Sequence, residues 1–355
     1  MSGAWPREQP VPASLVTEGR AMLESVLHDL LNLPDLQVRL TWDRCLPPPD
    51  VLAPWVEGGA GPGTAVSVCH RVTLHWADDR SEPALRRSAC ESVDHVLLIA
   101  PEFDDILGRQ VAEAAAHTRA ELWNATPSAV RLCADKHQLA QHLLLHNVPV
   151  IPTCDVDSDL PDDWTDLIVK PRDGAGSQGI QRLARAGFNQ WKQALSRRGL
   201  PADAWIVQPY TRGRTLSVAA IFGADGALHD VWPVTEQFLD PQTFAYLGGR
   251  IPASQVNRSH VEALITDVAA CVPGLRGYIG FDLIECPNGE VMVVEINPRL
   301  TTSYVGYRTL AAGSLAAWLE PKSQALPSPA WTTGTIRFTA AGEVFATQGT
   351  EDTPA

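Results

Sequence analysis

Residues 278–297 of this 355-residue chain, YIGFDLIECPNGEVMVVEIN, read as two strands joined by a tight turn. The pair Asn288-Gly289 is a strong hairpin signal, and if it forms the turn, the pairing places Asp282 directly opposite Glu295. Directly opposed residues have Cβ atoms about 4.5–5.5 Å apart, so the two carboxylates repel unless a proton or a cation lies between them. Asn297 follows Glu295 by two residues and therefore points to the same face.

Two carboxylates and an amide oxygen on one face predict a hard-oxygen metal site. Asp282, Glu295 and Asn297 would suit Mg²⁺ shared with nucleotide phosphates. The alternative is an ordinary polar stripe on a solvent-facing hairpin. Apolar neighbours on both strands favour a buried hairpin instead. These neighbours are Phe281, Leu283, Val293, Val294 and Ile296.

A second segment, IVKPRDGAGSQG at residues 168–179, joins a strand to a glycine-rich loop. Such a loop offers successive backbone N–H groups to phosphate oxygens, and glycine lets the backbone approach closely. It is not a Walker A sequence, because no G-K-[ST] follows. Of the 28 basic side chains only four are lysines. Lys170 lies in this segment and Lys136 opens a helix earlier in the chain, and we expect both to serve as compact point charges.

In this order, Lys136, Lys170 with its loop, residues 207–210 (VQPY) and the hairpin acids resemble the ATP-grasp superfamily over roughly residues 126–310. The resemblance implies that the two lysines contact the phosphates of ATP, that residues 174–179 form a flexible flap, and that residues 208–210 line the adenine. It also implies that Asp282, Glu295 and Asn297 hold one or two Mg²⁺ (or Mn²⁺) ions. The nucleotide-binding residues implied are Lys136, Lys170, Gly174, Ala175, Gly176, Ser177, Gln208, Pro209 and Tyr210.

The same resemblance implies two catalytic residues, Lys170 and Arg299. Arg299 would steady the transferred phosphoryl group or an acyl phosphate, because an arginine fork suits an anionic pair of oxygens. The chain departs from the family pattern beside the adenine and ribose. Many members carry a glutamate there, whereas this chain has Gln208 and then Arg214 and Thr215.

A narrower resemblance covers nearly the whole chain, through residues 15–19 (LVTEG), 99–102 (IAPE), 134–136 (ADK), 246–249 (YLGG) and 297–304 (NPRLTTSY). These segments resemble the tyramine–L-glutamate ligase group. The resemblance implies a C–N-bond-forming ligase that joins the γ-carboxylate of L-glutamate to tyramine or a tyrosine-like amine, in methanofuran-type one-carbon cofactor biosynthesis. The reaction would pass through an acyl phosphate, mainly by positioning and charge neutralisation. The alternatives are an ATP-grasp phosphotransferase and a non-catalytic nucleotide-binding protein.

Five residues near these motifs are candidate substrate contacts. Glu18 and Glu102 would grip the amine, or would simply be acids favoured at helix N-termini by the helix dipole. Thr302, Ser303 and Tyr304 would contact the substrate carboxylate, or would only form a polar helix start.

Composition limits the partners. A net charge of −13 argues against nucleic acid or an anionic membrane as the main partner, and no stretch approaches 18 apolar residues, so we expect no membrane span. Seven dispersed cysteines without a C-x-x-C pair favour reduced thiols in the cytoplasm over a disulfide frame or a zinc site, and the ten histidines show no ligand spacing. The expected partners are small-molecule carboxylate and amine substrates, and a homodimer is compatible with the sequence.

We expect an α/β (α+β) protein with the ATP-grasp fold, in three units. An N-terminal pre-ATP-grasp domain with a parallel sheet spans residues 1–125, a small central lid domain with the flap spans 126–203, and a C-terminal domain with a mixed or antiparallel sheet, the metal hairpin and the tail spans 204–355. The elements predicted in the first unit are strands at Ala13–Thr17, Leu36–Leu40, Val66–Trp76 and His95–Ala100, helices at Arg20–Leu31 and Asp104–His117, and a long loop at 47–63. Those predicted later are helices at Lys136–His146 and Ser259–Cys271, strands at Asp166–Lys170, Trp205–Gln208 and Leu216–Phe222, and a hairpin at Gly334–Phe345.

Overall fold

The computed structural model describes residues 11–55, 66–69, 71–174 and 176–347, together with positions 2, 5 and 8. These residues form one large sheet and three small ones, with helices packed against them. The helices are α1 Ala13–Leu31, α2 Glu82–Glu91, α3 Ile106–His117, α4 Pro127–Ala134, α5 Lys136–Leu145, α6 Phe188–Arg197, α7 Arg258–Cys271 and α8 Tyr304–Leu310. The strands are β1 Val38–Asp43, β2 Val66–Cys69, β3 Val72–Ala77, β4 His95–Val96, β5 Glu121–Leu122, β6 Cys154–Asp155, β7 Asp166–Pro171, β8 Gln181–Ala184, β9 Trp205–Pro209, β10 Arg214–Phe222, β11 Leu228–Val231, β12 Thr235–Leu239, β13 Tyr246–Ile251, β14 Gly277–Glu285, β15 Val291–Asn297, β16 Thr335–Thr339 and β17 Val344–Thr347.

The first helix is longer than its sequence suggests. The strand predicted at Ala13–Thr17 is wrong, because α1 begins at Ala13 and runs unbroken to Leu31. An apolar run as short as Leu15-Val16 fits either state, and the buried helical stripe further along decides between them. Gly19, which separated the two predicted elements, costs a helix interior only about 1 kcal/mol.

The N-terminal part has parallel pairing, but its strands are shorter or more numerous than predicted. β1 is parallel to β3, whereas β2 is antiparallel to β3, because the single strand predicted at Val66–Trp76 is in fact a hairpin. The strand predicted at His95–Ala100 is confined to β4, which pairs in parallel with β5. Beyond it, the amide of Asn124 accepts a hydrogen bond from Leu98 N at 2.8 Å and donates one to Leu98 O at 2.9 Å, replacing a strand partner.

Two neighbouring predictions also change in detail. In the long loop predicted at 47–63, Asp50–Trp55 form a 3₁₀ helix, and residues 56–63 lie outside the described chain. The helix predicted from Asp104 begins at Ile106. A short turn precedes it, in which Asp104 and Asp105 both have φ of 53°, a left-handed conformation that interrupts helical geometry.

The large sheet is antiparallel, in the order β15-β14-β10-β12-β13-β16-β17, with β11 beside β10. Side chains of its central strand β10 alternate between two cores, since Leu216, Val218 and Ala220 face one core and Ala219 and Ile221 face the other. The first core is completed by α3, α4, α5 and α7, and the second by α1 and α8. This period of two is expected of a strand that is covered on both faces.

The tail and the central sheet complete the fold. The hairpin predicted at Gly334–Phe345 is present as β16 and β17, and it extends the large sheet through β13. The small sheet, in the order β6-β9-β7-β8, has its own apolar cluster, to which α6 contributes. Across the described residues, we find no helix with the length and apolar character needed to cross a membrane.

The hairpin of β14 and β15 has the predicted pairing of Asp282 with Glu295, but by an unpredicted route. The turn is one residue longer than expected, so the pairs next to it are shifted by one, and Glu285 faces Val291. A β-bulge that leaves Val294 without an opposite residue shifts the pairing back before the acids are reached. The two deviations cancel, and the carboxylates stand opposite each other.

Candidate active site

A cavity of about 570 Å³ opens between the small sheet of β6 to β9 and the strands of the large sheet. This volume lies within the usual range of small-molecule sites. The predicted site residues that line it are Glu18, Lys136, Lys170, Gly174, Gly176, Ser177, Gln208, Pro209, Tyr210, Asp282, Glu295, Asn297, Arg299, Thr302 and Ser303. Glu102 and Tyr304 do not line it, and Ala175 lies outside the described residues.

Asp282 and Asn297 contact each other across the hairpin. Asn297 Nδ2 donates to Asp282 Oδ2 at 2.9 Å, and Gln237 Nε2 donates to Oδ1 of the same carboxyl at 2.8 Å. Burial raises the pKa of Asp282 to about 6, and the negative charge of Glu295 adds to the effect. A nearby cation would favour the ionised carboxylate and lower this pKa.

Glu295 lies between two lysines. Its Oε1 is 3.1 Å from Lys170 Nζ and 3.7 Å from Lys136 Nζ. Burial acts to raise the pKa of Glu295, but the two lysines outweigh it and the pKa is lowered. Burial also disfavours the charged form of Lys170 and so lowers its pKa, and the negative charge of Glu295 opposes this change. Both ammonium groups line the cavity, where phosphate oxygens would be attracted to them.

The glycine-rich loop has a backbone that glycine favours. Gly176 and Gly179 have φ of 64° and 75°, and Ser177 between them has φ of 58°. The carbonyl of Gly174 accepts a hydrogen bond from Lys136 Nζ at 2.6 Å, which ties the loop to the first residue of α5. The loop therefore lies against the ammonium group of Lys136, one of the two that contact Glu295.

The segment predicted to line the adenine belongs to the end of β9. Gln208 is buried, and its Nε2 donates to Thr153 Oγ1 at 2.8 Å. The guanidinium carbon of Arg182 lies 3.7 Å from the centre of the Tyr210 ring. Apolar side chains that a flat aromatic base could contact also line the cavity. They include Ile151, Ile168 and Ile284.

Arg299 is held by a two-point ion pair. Its Nε lies 2.8 Å from Glu102 Oε1, and its Nη2 donates to Glu102 Oε2 at 2.9 Å. Burial acts to lower the pKa of Arg299, but Glu102 outweighs it and the pKa is raised. Glu102 does not line the cavity, so it orients the Arg299 side chain without itself facing the cavity.

Glu18 reaches the cavity from α1 and meets the segment that follows Arg299. Thr302 Oγ1 donates to Glu18 Oε2 at 3.3 Å, and Ser303 Oγ lies 3.2 Å from Ser217 Oγ. Burial raises the pKa of Glu18, with Arg299 and Thr302 opposing it. Glu18 does not lie in the first turn of α1, so the position of this acid is not explained by stabilisation of the helix N-terminus.

Tyr304 lies elsewhere, in the core behind the cavity. Its side chain is 0% exposed, and its hydroxyl donates to Asp29 Oδ2 at 2.6 Å. Its ring packs against Trp232 and Tyr278, with centroid distances of 6.4 and 6.0 Å. The structure thus brings Thr302 and Ser303 to the cavity but not their neighbour.

Gln237 and Tyr246 are among the lining residues that the sequence did not predict. Gln237 lies on β12 and reaches Asp282 across the intervening strand β10, where the small side chain of Ser217 leaves room. Tyr246 lines the cavity with its hydroxyl shielded from solvent, and burial raises its pKa. The YLGG segment was the one sequence signal for Tyr246, and Gln237 had none.

Comparison with known proteins agrees with this fold. Residues 133–303 match the family model of the ATP-grasp domain. An ATP-grasp superfamily protein of Archaeoglobus fulgidus is 22% identical, with a TM-score of 0.63 over 93% of this chain and 88% of that one. A biotin carboxylase of Campylobacter jejuni, solved as a β-γ-ATP complex, is 15% identical, with a TM-score of 0.65 over 90% and 72% of the two chains. The chain therefore adopts the ATP-grasp fold and carries an ATP-grasp domain.

More specific similarities are to tyramine–L-glutamate ligases. The ligase of Methanocaldococcus fervens is 24% identical over 221 residues, which are 62% of this chain and 63% of the relative. That of Methanocaldococcus jannaschii is 24% identical over 62% of this chain and 60% of the relative. The matches span less than two thirds of these enzymes.

Proposed function

We propose that this chain is an ATP-dependent carboxylate–amine ligase, which activates a carboxylate as an acyl phosphate and joins it to an amine. The observation that carries the proposal is the convergence of Lys136, Lys170 and Arg299 with the paired acids Asp282 and Glu295 on one cavity. The three cations suit the phosphates of a nucleoside triphosphate and an anionic substrate, and the two carboxylates suit a divalent ion.

The residues at the hairpin fit Mg²⁺. Asp282, Glu295 and Asn297 offer the carboxylate and amide oxygens that this ion prefers. Burial and the neighbouring charge of Glu295 raise the pKa of Asp282 to about 6, and a bound cation would favour its ionised form. When bound, Mg²⁺ would neutralise charge on the transferred phosphate. With Glu295 engaged in this way, Lys136 and Lys170 would be available to the phosphate oxygens of ATP.

Arg299 is suited to the acyl phosphate. A guanidinium has five N–H donors in a planar fork, and here Glu102 and the carbonyl of Leu300 occupy only part of them. The remaining donors can bind an anionic oxygen without the arginine having to be reoriented. The loop at 174–179 would cover the intermediate and exclude water, which protects it from hydrolysis.

For the substrates, we propose the γ-carboxylate of L-glutamate and tyramine or a similar amine, in one-carbon cofactor biosynthesis. Similarity to the two methanogen ligases supports this choice. Glu18, Thr302 and Ser303 form a polar wall near Arg299, and the buried carboxyl of Glu18 is a suitable acceptor for an ammonium group. The amine would attack the acyl carbon and displace phosphate, so no protein nucleophile is required.

The test is phosphate release from Mg-ATP by the full chain, with L-glutamate present and with tyramine, tyrosine or no amine, and with products identified by mass spectrometry. We expect release that depends on both substrates and a γ-glutamyl amide as product. ADP formation with a stable phosphorylated product would indicate a phosphotransferase. Mg-ATP binding without turnover on any carboxylate would indicate a binding protein.

Glu295→Gln provides the sharpest variant, and Glu290→Gln is its matched control. Glu290 lies on the same hairpin, at its exposed turn. Removing a metal-ligand charge should lower kcat/KM by about two orders of magnitude or more, whereas the control should keep full activity. Equal activity of the two variants would refute the assigned site.

A further inference from the structure

The sequence predicts no metal ligands among the histidines, but the end of α5 carries two of them one turn apart, and the fold brings a cysteine to them from another helix. His142 lies in α5, His146 caps its C-terminus, and Cys271 is the last residue of α7. One donor atom from each of the three side chains lies within 4.8 Å of the other two. The imidazole rings are tilted against each other, with centroids 4.6 Å apart.

Each imidazole uses one nitrogen to bind a backbone carbonyl. His142 Nε2 lies 2.7 Å from Cys271 O, and His146 Nδ1 lies 2.8 Å from His142 O. A carbonyl only accepts, so these two nitrogens carry the protons. In a neutral ring the other nitrogen then has a free lone pair. Metal-binding histidines are typically oriented by this kind of backbone contact.

We propose that His142, His146 and Cys271 form a binding site for a first-row transition-metal dication of the zinc type. Two imidazoles and a thiolate are the nitrogen and sulfur donors that Zn²⁺ binds, and a sulfur ligand selects against Mg²⁺ and Ca²⁺. Three protein ligands leave the fourth tetrahedral position to water or another small ligand. The cluster is partly exposed, which gives an ion a path from solvent.

The proposed site is separate from the cavity. His146 follows Lys136 by ten residues on one helix, which at 1.5 Å per residue places it roughly 15 Å along the axis. A bound ion would join the C-terminal ends of α5 and α7. Because it would bind the folded protein and not the separated helices, it should raise the melting temperature.

Cobalt provides the direct test, because a cobalt–thiolate bond gives a charge-transfer absorption in the near ultraviolet that oxygen ligands do not. The chelator-treated full chain is titrated with Co²⁺ in excess Mg²⁺, which keeps the hairpin acids from contributing. We expect the band to saturate at one equivalent and to disappear on addition of Zn²⁺. Cys271→Ser should abolish the band, and His146→Ala should weaken Co²⁺ affinity about tenfold or more.

Two matched controls exist in the chain. His117 makes the same kind of contact with the carbonyl four residues earlier, with Nδ1 3.0 Å from Glu113 O, and Cys45 is an exposed thiol. His117→Ala and Cys45→Ser should keep the band and the metal-dependent rise in melting temperature. Unfolding without metal checks that His146→Ala, an exposed position, is still folded. Absence of the band in the unmodified protein, or an undiminished band in Cys271→Ser, would overturn the proposal.

Discussion

Replacing Tyr304 by phenylalanine distinguishes two descriptions of this residue. The sequence predicts a substrate contact, whereas the fold places its hydroxyl on Asp29, which is itself only 2% exposed. Arg308 is a more distant partner of that carboxyl, with Nε 3.7 Å from Oδ1. Tyr304→Phe therefore removes a hydrogen bond from a buried carboxylate and keeps the packed ring.

The size of the effect depends on the charge of Asp29. A hydrogen bond to a charged group contributes about 1.5–3 kcal/mol, and a neutral one about 0.5–1.5 kcal/mol. Burial raises the pKa of Asp29 and the Tyr304 hydroxyl opposes this rise, so the variant's carboxyl should have a still higher pKa. When the pKa of a carboxyl is higher in the folded state than in the unfolded state, the protein becomes less stable as the pH rises from the unfolded pKa through the folded one. The loss in unfolding free energy should thus grow from about 1 kcal/mol near pH 4 to about 2–3 kcal/mol at pH 8.

Urea unfolding followed by tryptophan fluorescence measures this loss, and steady-state kinetics measures KM for the carboxylate. Tyr307→Phe is the matched control, on the same helix and also 0% exposed. Its hydroxyl contacts neutral groups, accepting from Ala219 N at 3.0 Å and from Thr235 Oγ1 at 3.4 Å. Its loss should not vary with pH, and KM should be nearly unchanged in both variants.

A loss in Tyr304→Phe that is equal at both pH values would show that its hydroxyl does not stabilise a buried charge. Unfolding free energy equal to that of the unmodified protein, with KM raised tenfold, would instead place the hydroxyl in the substrate site. Either result would refute the reasoning from burial and hydrogen bonding.

Gly280→Ala would place a Cβ 2.3 Å from Cγ2 of Thr301, which lines the cavity. Overpacking of this kind should lower the unfolding free energy by about 1–3 kcal/mol in urea unfolding; an unchanged value would mean that Thr301 moves freely. Lys136→Met should weaken ATP binding about tenfold or more by calorimetry, because it removes a charged contact; unchanged affinity would place that lysine outside the phosphate site. With the pKa of Asp282 at about 6, protons should compete with Mg²⁺, so Mg²⁺ affinity should fall from pH 7 to pH 5. Asp282→Asn should bind Mg²⁺ weakly at both pH values. An affinity of the unmodified protein that does not depend on pH would contradict competition between protons and Mg²⁺ at Asp282.

The sequence predicts best where the partners are close along the chain. The opposition of Asp282 and Glu295 is confirmed because turn chemistry and strand periodicity restrict a hairpin to a few registers. The turn length was wrong by one, and the bulge at Val294 compensated. A shift by one residue would have turned one acid to the opposite face, so the apolar pattern along β15 favours a bulge over a slipped register.

Contacts between distant segments were not predictable in the same way. Tyr304 follows a cavity-lining motif directly, yet the turn of α8 aims its side chain at α1, where Asp29 is 275 residues away. The short apolar run that opens α1 was compatible with a strand until its burial was known. Neither result can be obtained from local spacing, because both depend on which helix covers this face of the large sheet.

Gln237 shows why the missing part of the site is a question of strand order. It reaches Asp282 only because β10 separates β12 from β14 and presents the small Ser217 between them. The sequence offers several possible orders for these strands, and each would put a different side chain beside Asp282 and Glu295. Once the order is known, pairing alone gives the row from Asp282 through Ser217 to Thr235. Gln237 follows Thr235 by two residues, so it lies on the same face of β12 and reaches Asp282 diagonally. The amide of Gln237 then bonds to the acid whose pKa is raised to about 6, and we expect Gln237→Leu to remove that bond and raise the pKa further. Mg²⁺ affinity should consequently weaken near pH 6 more than at pH 8, where the carboxyl is ionised in both proteins. An equal weakening at both values would instead mean that Gln237 acts on the ion directly.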